Sequence, residues 1–189
     1  LDNWGSRKKG ELIGVPTGYV DLDDLLSGMQ KSDLIICAGR PSMGKTALAL
    51  CMARNAALEF GHKVGLFSLE MSNSQLVERL LTGEAKVDSH LVRTGKLPKN
   101  EWKKLSQAAG SLSEANIFID DSAGLSIMDL RAKARQLKAE KDIELLIVDY
   151  IQLLHSGTRA ESRQQEISYI SRSLKALAKD LGIPILALS

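Results

Sequence analysis

At 189 residues the chain can bury one substantial core and is short for two, which excludes a multidomain reading. Hydrophobic residues at 44% and charged residues at 25% exclude the low hydrophobicity and high charge that keep a chain disordered. A net charge of +2 excludes a globally basic nucleic-acid binder, so any such activity has to come from a local patch.

In chain order, short β-rich runs alternate with longer helical ones, without internal repeats or low-complexity tracts. This alternation predicts an α/β fold with a mainly parallel, twisted sheet and helices on both faces. Leu34 to Ala38 reads as a buried strand, followed by a glycine-rich turn and a helix from about Lys45 to Phe60 that Gly61 stops. Val64 to Leu69 is a second strand. Ser72 or Asn73 caps a helix over Gln75 to Leu81, where Leu76, Val77 and Leu80 repeat at helical spacing.

One or two helices fill Asp88 to Ala115, with Pro98 near the start of the longer one, where a missing amide hydrogen does no harm. Asn116 to Asp120 is a third strand, and Ser126 with Asp129 forms a capping-box pattern ahead of a helix over Leu130 to Lys141. Leu145 to Asp149 is a fourth strand, apolar on both faces and so the most fully buried. A polar loop from His155 to Ser162 leads into a long helix ending at Gly182, and Ile183 to Leu188 is a fifth strand. The chain stops at Ser189, just past that strand, and reads as a fragment.

The longest apolar runs, such as Ile143 to Leu154, are broken by Glu144, Asp149 and Gln152, and none reaches the roughly 20 residues of a membrane span. With no secretory or lipidation signal, the expected compartment is the cytoplasm. Cys37 and Cys51 lie in apolar strand-like and helix-like runs, the usual setting of buried free thiols, and two Cys with three scattered His are too few for a metal site.

The chemistry is concentrated in Gly39-Arg40-Pro41-Ser42-Met43-Gly44-Lys45-Thr46, which fits the phosphate-loop pattern G-x-x-x-x-G-K-[ST] between a strand and a helix. Glycines let the backbone wrap closely around phosphates, and the helix start adds oriented N–H groups and partial positive charge. The ligand this predicts is ATP with Mg²⁺: Lys45 reaches the β and γ phosphates, and the Thr46 hydroxyl ligates the metal. Asp149 ends the most buried strand, at the carboxyl edge where ligands of such sheets bind, and is the candidate to hold Mg²⁺ through water. Asp120 and Asp121 also end a strand and compete for that role.

Glu70 follows the second strand and would stand near the γ-phosphate if that strand lay beside the phosphate-loop strand; a carboxylate there can deprotonate water. By position alone a solvated surface glutamate is an equal reading. Arg163, Arg172, Lys175 and Lys179 on the last helix, with His155 and Arg159 in the loop before it, fit a solvated amphipathic face. That loop follows Asp149, so a motor could also use it to sense ATP and grip phosphates.

Several phrases together resemble the C-terminal motor domain of the bacterial replicative helicase of the DnaB type, a hexameric ring ATPase with a RecA-like core. They are Gly14-Val15-Pro16-Thr17-Gly18 with Leu22-Asp23, the phosphate loop, Phe67-Ser68-Leu69-Glu70-Met71-Ser72 and Arg93-Thr94-Gly95. Further on come Ile147-Val148-Asp149-Tyr150-Ile151-Gln152-Leu153, Arg163-Gln164-Gln165-Glu166-Ile167 and residues 170–178. The resemblance runs from about Gly10 onward and divides the chain into a linker over 1–13 and a RecA-like ATPase domain over 14–189.

What the resemblance implies is an ATP-dependent DNA helicase motor that translocates on single-stranded DNA, works as a homo-hexamer and meets primase and a helicase loader. It puts the catalytic base on Glu70 and the metal-holding aspartate on Asp149, and makes Arg159 and Arg163 candidates for contact with single-stranded DNA. The family's N-terminal scaffold, glutamine sensor, second DNA-contacting loop and arginine finger are not in the chain, so weak ATPase activity is expected of it alone. A RecA-type recombination ATPase is a weaker reading, lacking the Arg163 to Ile167 phrase. An ATP-switched loader or adaptor would not unwind, and a small-molecule kinase would need an acceptor pocket and an Arg-rich lid that the sequence does not offer.

Overall fold

The computed structural model describes residues 13–156 and 162–189. Its elements are α1 (Val20–Leu26), β1 (Leu34–Cys37), α2 (Lys45–Arg54), β2 (Val64–Ser68), α3 (Asn73–Ala85), α4 (Ser89–Arg93) and α5 (Lys99–Glu114). They continue with β3 (Ile117–Asp120), α6 (Ile127–Lys141), β4 (Leu145–Asp149), α7 (Arg163–Leu181) and β5 (Ile185–Leu188). The five strands form one sheet in the order β1-β5-β4-β2-β3, and every pairing is parallel.

The core follows from the two-residue period of the strands. Along β4, Leu145 and Ile147 join Ala49, Leu50, Ala53, Leu76 and Leu80 of α2 and α3 on one face. Leu146 and Val148 join Leu130, Ala134, Ile170, Leu174 and Leu177 of α6 and α7 on the other. All five residues of β4 are buried, as expected of a strand covered on both faces. A smaller cluster of Ala85, Leu97, Leu105 and Ala108 packs α5 beneath α3.

The helices start as their caps direct. Ser72 and Gln75 form a capping box for α3, and Ser126 and Asp129 form one for α6. α3 is longer than the sequence pattern predicts at both ends, and α6 begins three residues earlier. The predicted single helix from Lys45 is α2 followed by one wider π turn over Asn55–Glu59.

The first strand departs from expectation. β1 is an outer strand paired only with β5 among the described residues, with Ile36 46% exposed and its neighbours half-buried, so it is not the buried strand its apolar run suggests. The short helix α1 was not legible in the sequence. It is organised by Asp23, which is buried and accepts from the Thr17 N–H and hydroxyl, each at 2.8 Å, and from the Gly18 N–H at 3.0 Å. Gly14 lies so close to the Met29 carbonyl that a Cβ on it would sit 2.2 Å from that oxygen, which only glycine avoids.

Candidate nucleotide-binding site

The site lies at the carboxyl edge of the sheet. β1 leads into the loop Gly39 to Thr46, and the Gly39 N–H donates to the Ser189 carbonyl at 3.1 Å, tying the loop to the end of β5. Arg40, Pro41, Ser42, Met43 and Gly44 are all exposed, Met43 at 75%. Gly44 has φ +85° and precedes the first turn of α2; a Cβ there would meet open space, so it is backbone conformation that asks for glycine. Lys45 turns back across the loop and donates from Nζ to the Gly39 carbonyl. The first N–H groups of α2 have no carbonyl within the helix to bond, which leaves oriented donors beside this cation.

Asp149 is 3% exposed. Burial pushes its carboxyl up from the ordinary value, the Thr46 hydroxyl beside it works the other way, the Glu70 charge adds to the rise, and Lys45 and Arg79 oppose it. Its Oδ2 is buried without a hydrogen-bond partner among the described residues. A desolvated carboxylate with a spare oxygen, facing a hydroxyl, is a donor set suited to a hard divalent cation.

Glu70 reaches this place by a route other than the one expected. β2 is not beside β1, because β5 and β4 stand between them. Instead β2 pairs with β4 in a register that sets Ser68 against Asp149, and the Leu69 N–H donates to the Asp149 carbonyl at 2.7 Å. Helix α2 packs across β5 and β4, which carries Thr46 from the sheet's edge to its centre. Glu70 is exposed at the tip of the turn after β2. The buried Ser68 hydroxyl clips that turn, donating to the Met71 carbonyl at 2.7 Å and accepting its N–H at 3.2 Å.

Lys45, Thr46, Glu70, Asp149 and Arg79 therefore converge, and Arg79 on α3 and the Ser68 clip are the members that sequence reading missed. Ser68 left a signal, a lone hydroxyl ending an apolar strand; Arg79 left none. Asp120, the competitor of Asp149, ends the far edge strand β3 and is ion-paired with Lys133 at 2.6 Å. Asp121 accepts from the Asn73 N–H at 2.7 Å.

Among the described residues, the cations of α7 and of the loop before it do not gather into one patch. Lys175 donates to the Ser32 carbonyl at 2.9 Å and to Asp33 at 3.0 Å, and the His155 ring bonds the Gly124 carbonyl at 3.1 Å. Arg172 and Lys179 are exposed on α7. Arg163 is bound to Glu166 and to the Gln152 carbonyl. Arg159 lies outside the described residues.

A parallel sheet whose outer strand feeds a phosphate loop, with a buried carboxylate two strands along, defines a RecA-like P-loop fold. The family of the DnaB-like helicase C terminal domain matches residues 14–189. The replicative DNA helicase DnaB of Geobacillus stearothermophilus is 51% identical over 184 residues, covering 97% of this chain and 40% of that protein. A solved ATPase domain superposes with a TM-score of 0.89 at 35% identity, covering 96% of this chain and 65% of that one. A solved DnaB-like replicative helicase, described with its interactions with primase, gives 0.88 at 35% identity over 95% of this chain and 44% of that one. The chain belongs to the DnaB-like helicase C-terminal domain family, and it spans 40% of the length of its Geobacillus relative.

Proposed function

We propose that this chain is the ATP-hydrolysing motor domain of a replicative DNA helicase, with residues 14–189 as the motor and 1–13 as the linker leading into it. The observation that carries this is the buried Asp149 carboxylate with its unpartnered Oδ2, set beside Thr46, Lys45 and Glu70.

In this reading the backbone of Gly39 to Thr46 and the ammonium of Lys45 bind the triphosphate. Thr46 and Asp149 hold Mg²⁺, which when bound neutralises charge on the transferred phosphoryl group. Glu70 orients a water molecule on the γ-phosphorus and accepts its proton as the new P–O bond forms and the bond to the bridging oxygen of ADP breaks. Arg79 adds positive charge beside the same carboxylates. The Ser68 clip fixes the turn that aims Glu70.

Single-stranded DNA is the track, and six copies form the working ring. Primase and a helicase loader are the expected partners, and the primase interactions described for a solved relative support the first. This function implies the cytoplasm; among the described residues no helix is long and apolar enough to cross a membrane.

The test is ATPase and duplex unwinding by the intact protein and its Glu70→Gln variant. Retained ATP binding with hydrolysis down by about 10² to 10⁴ and no unwinding is expected, the range a general base contributes. Hydrolysis that survives the substitution removes Glu70 from the mechanism.

A further inference from the structure

We propose that Arg163 and Glu166 form a clasp that closes the neck of the segment between β4 and α7, making Arg163 a positioning residue and not a nucleic-acid contact. An ion pair between residues three apart in a first helical turn is worth little when exposed. Here each partner makes a second bond to backbone on the other side of the loop. Arg163 donates from Nη1 to Glu166 Oε2 at 2.5 Å and from Nη2 to the Gln152 carbonyl. Glu166 accepts the Ser156 N–H on Oε1 at 3.1 Å. Ser156 is buried, so that amide depends on a protein acceptor.

The clasp is referenced to the strand that ends in Asp149. Gln152 lies in the short 3₁₀ turn Ile151–Leu153 just beyond β4, and its Nε2 donates to Ser189 Oγ at 2.6 Å at the end of β5. Arg163 thus fastens the first turn of α7 to the turn that links the ends of β4 and β5. The Ser156 N–H and the Arg163 guanidinium both hold the Glu166 carboxyl below the usual carboxylate range. Two of the five guanidinium donors are engaged, one of them by a carboxylate whose charge offsets that of Arg163 and so weakens its pull on phosphate.

The inference rests on the proposed function in one respect, that single-stranded DNA is the track. Two measurements on the intact protein keep the two apart. In the first, hydrogen exchange at the Ser156 amide is expected to quicken about tenfold or more in both Arg163→Ala and Glu166→Ala, with no larger effect in the double variant and β4 amides unchanged as the control for folding. Unchanged exchange at Ser156 in Glu166→Ala overturns the clasp whatever the protein's activity.

The second measurement is oligo-dT binding across a salt series. A clasp predicts that both single variants weaken binding in the same direction with the salt slope unchanged. A phosphate contact by Arg163 predicts that its removal lowers the slope by about 0.7 and that Glu166→Ala, by freeing the guanidinium, tightens binding; that result overturns the clasp. Absence of oligo-dT binding by the unaltered protein counts against the motor reading and leaves the exchange result to decide the clasp.

Discussion

β4 and β1 both run to the carboxyl edge and both deliver part of the candidate site, yet they are held by opposite means. β4 is buried along its whole length between α2 and α3 on one face and α6 and α7 on the other, and it ends in a carboxylate fixed within the core. β1 lies at the outside with Ile36 exposed, and its loop is tied down by the Gly39 to Ser189 hydrogen bond and by Lys45 bonding back to Gly39. Position is critical for a group that must meet a small cation and a water molecule, whereas a cradle of backbone donors can shape itself to a flexible polyphosphate. The core specifies the first and local loop geometry the second.

The strongest way to break this contrast is to hollow each strand. Ile147→Ala should cost about 2–5 kcal/mol of unfolding free energy, since the cavity opens in close-packed surroundings, while Ile36→Ala should stay within about 0.5 kcal/mol. Equal losses in urea unfolding would show β1 to be as deeply held as β4.

Next in size is Lys45→Ala. It should weaken ATP binding by about 1.5–3 kcal/mol, the worth of a hydrogen bond to a charged group, with the melting temperature little changed because the ammonium bonds to a carbonyl of its own loop. Calorimetric titration showing full affinity would remove the loop from the site.

Smallest is Asp149→Asn, which should stabilise the fold by about 1 kcal/mol while impairing hydrolysis, because it relieves a desolvated carboxylate. The pH dependence gives the sign. Burial raises this carboxyl above its ordinary 3.8, so the folded state keeps the proton longer than the unfolded state. Stability is therefore lost as pH rises from about that value through the raised one, and the deficit relative to Asp149→Asn is complete above it. Melting curves of both proteins across that range should diverge upward in pH; parallel curves would mean the carboxylate is compensated.

How much of this the sequence carried depends on whether the information was local. Leu145 to Asp149 announced itself, since a continuous apolar run needs cover on both faces and a carboxylate at its end must fall at the sheet's edge. The loop from Gly39 to Thr46 was equally readable, because turn, lysine and hydroxyl stand in fixed order. Strand order was not readable: nothing in Val64 to Leu69 says that β5 and β4 will come between it and β1, so Glu70 was expected by the wrong path. The half-exposure of β1 was hidden for the same reason, an apolar run being silent about how many neighbours it has. Arg163 showed the limit most clearly, because a cation on a helix looks the same whether it faces solvent or bonds to a turn eleven residues away.

The Thr17 turn has a mechanical meaning as well as a structural one. Its carbonyl accepts the Asn55 Nδ2–H at 3.1 Å, and Asn55 directly follows α2, the helix that begins with Lys45 and Thr46. Val15 bridges to Met29 on the same short stretch. Tension applied to the chain ahead of Ile13 would first meet the Ile13 and Gly14 amides, each donating to the Ser27 carbonyl at 3.2 Å, and then those two ties, one of which leads into the far end of the helix whose near end bears the phosphate loop. The Thr17 turn and the phosphate loop thus sit at opposite ends of a single helix about 15 Å long, taking 1.5 Å per residue.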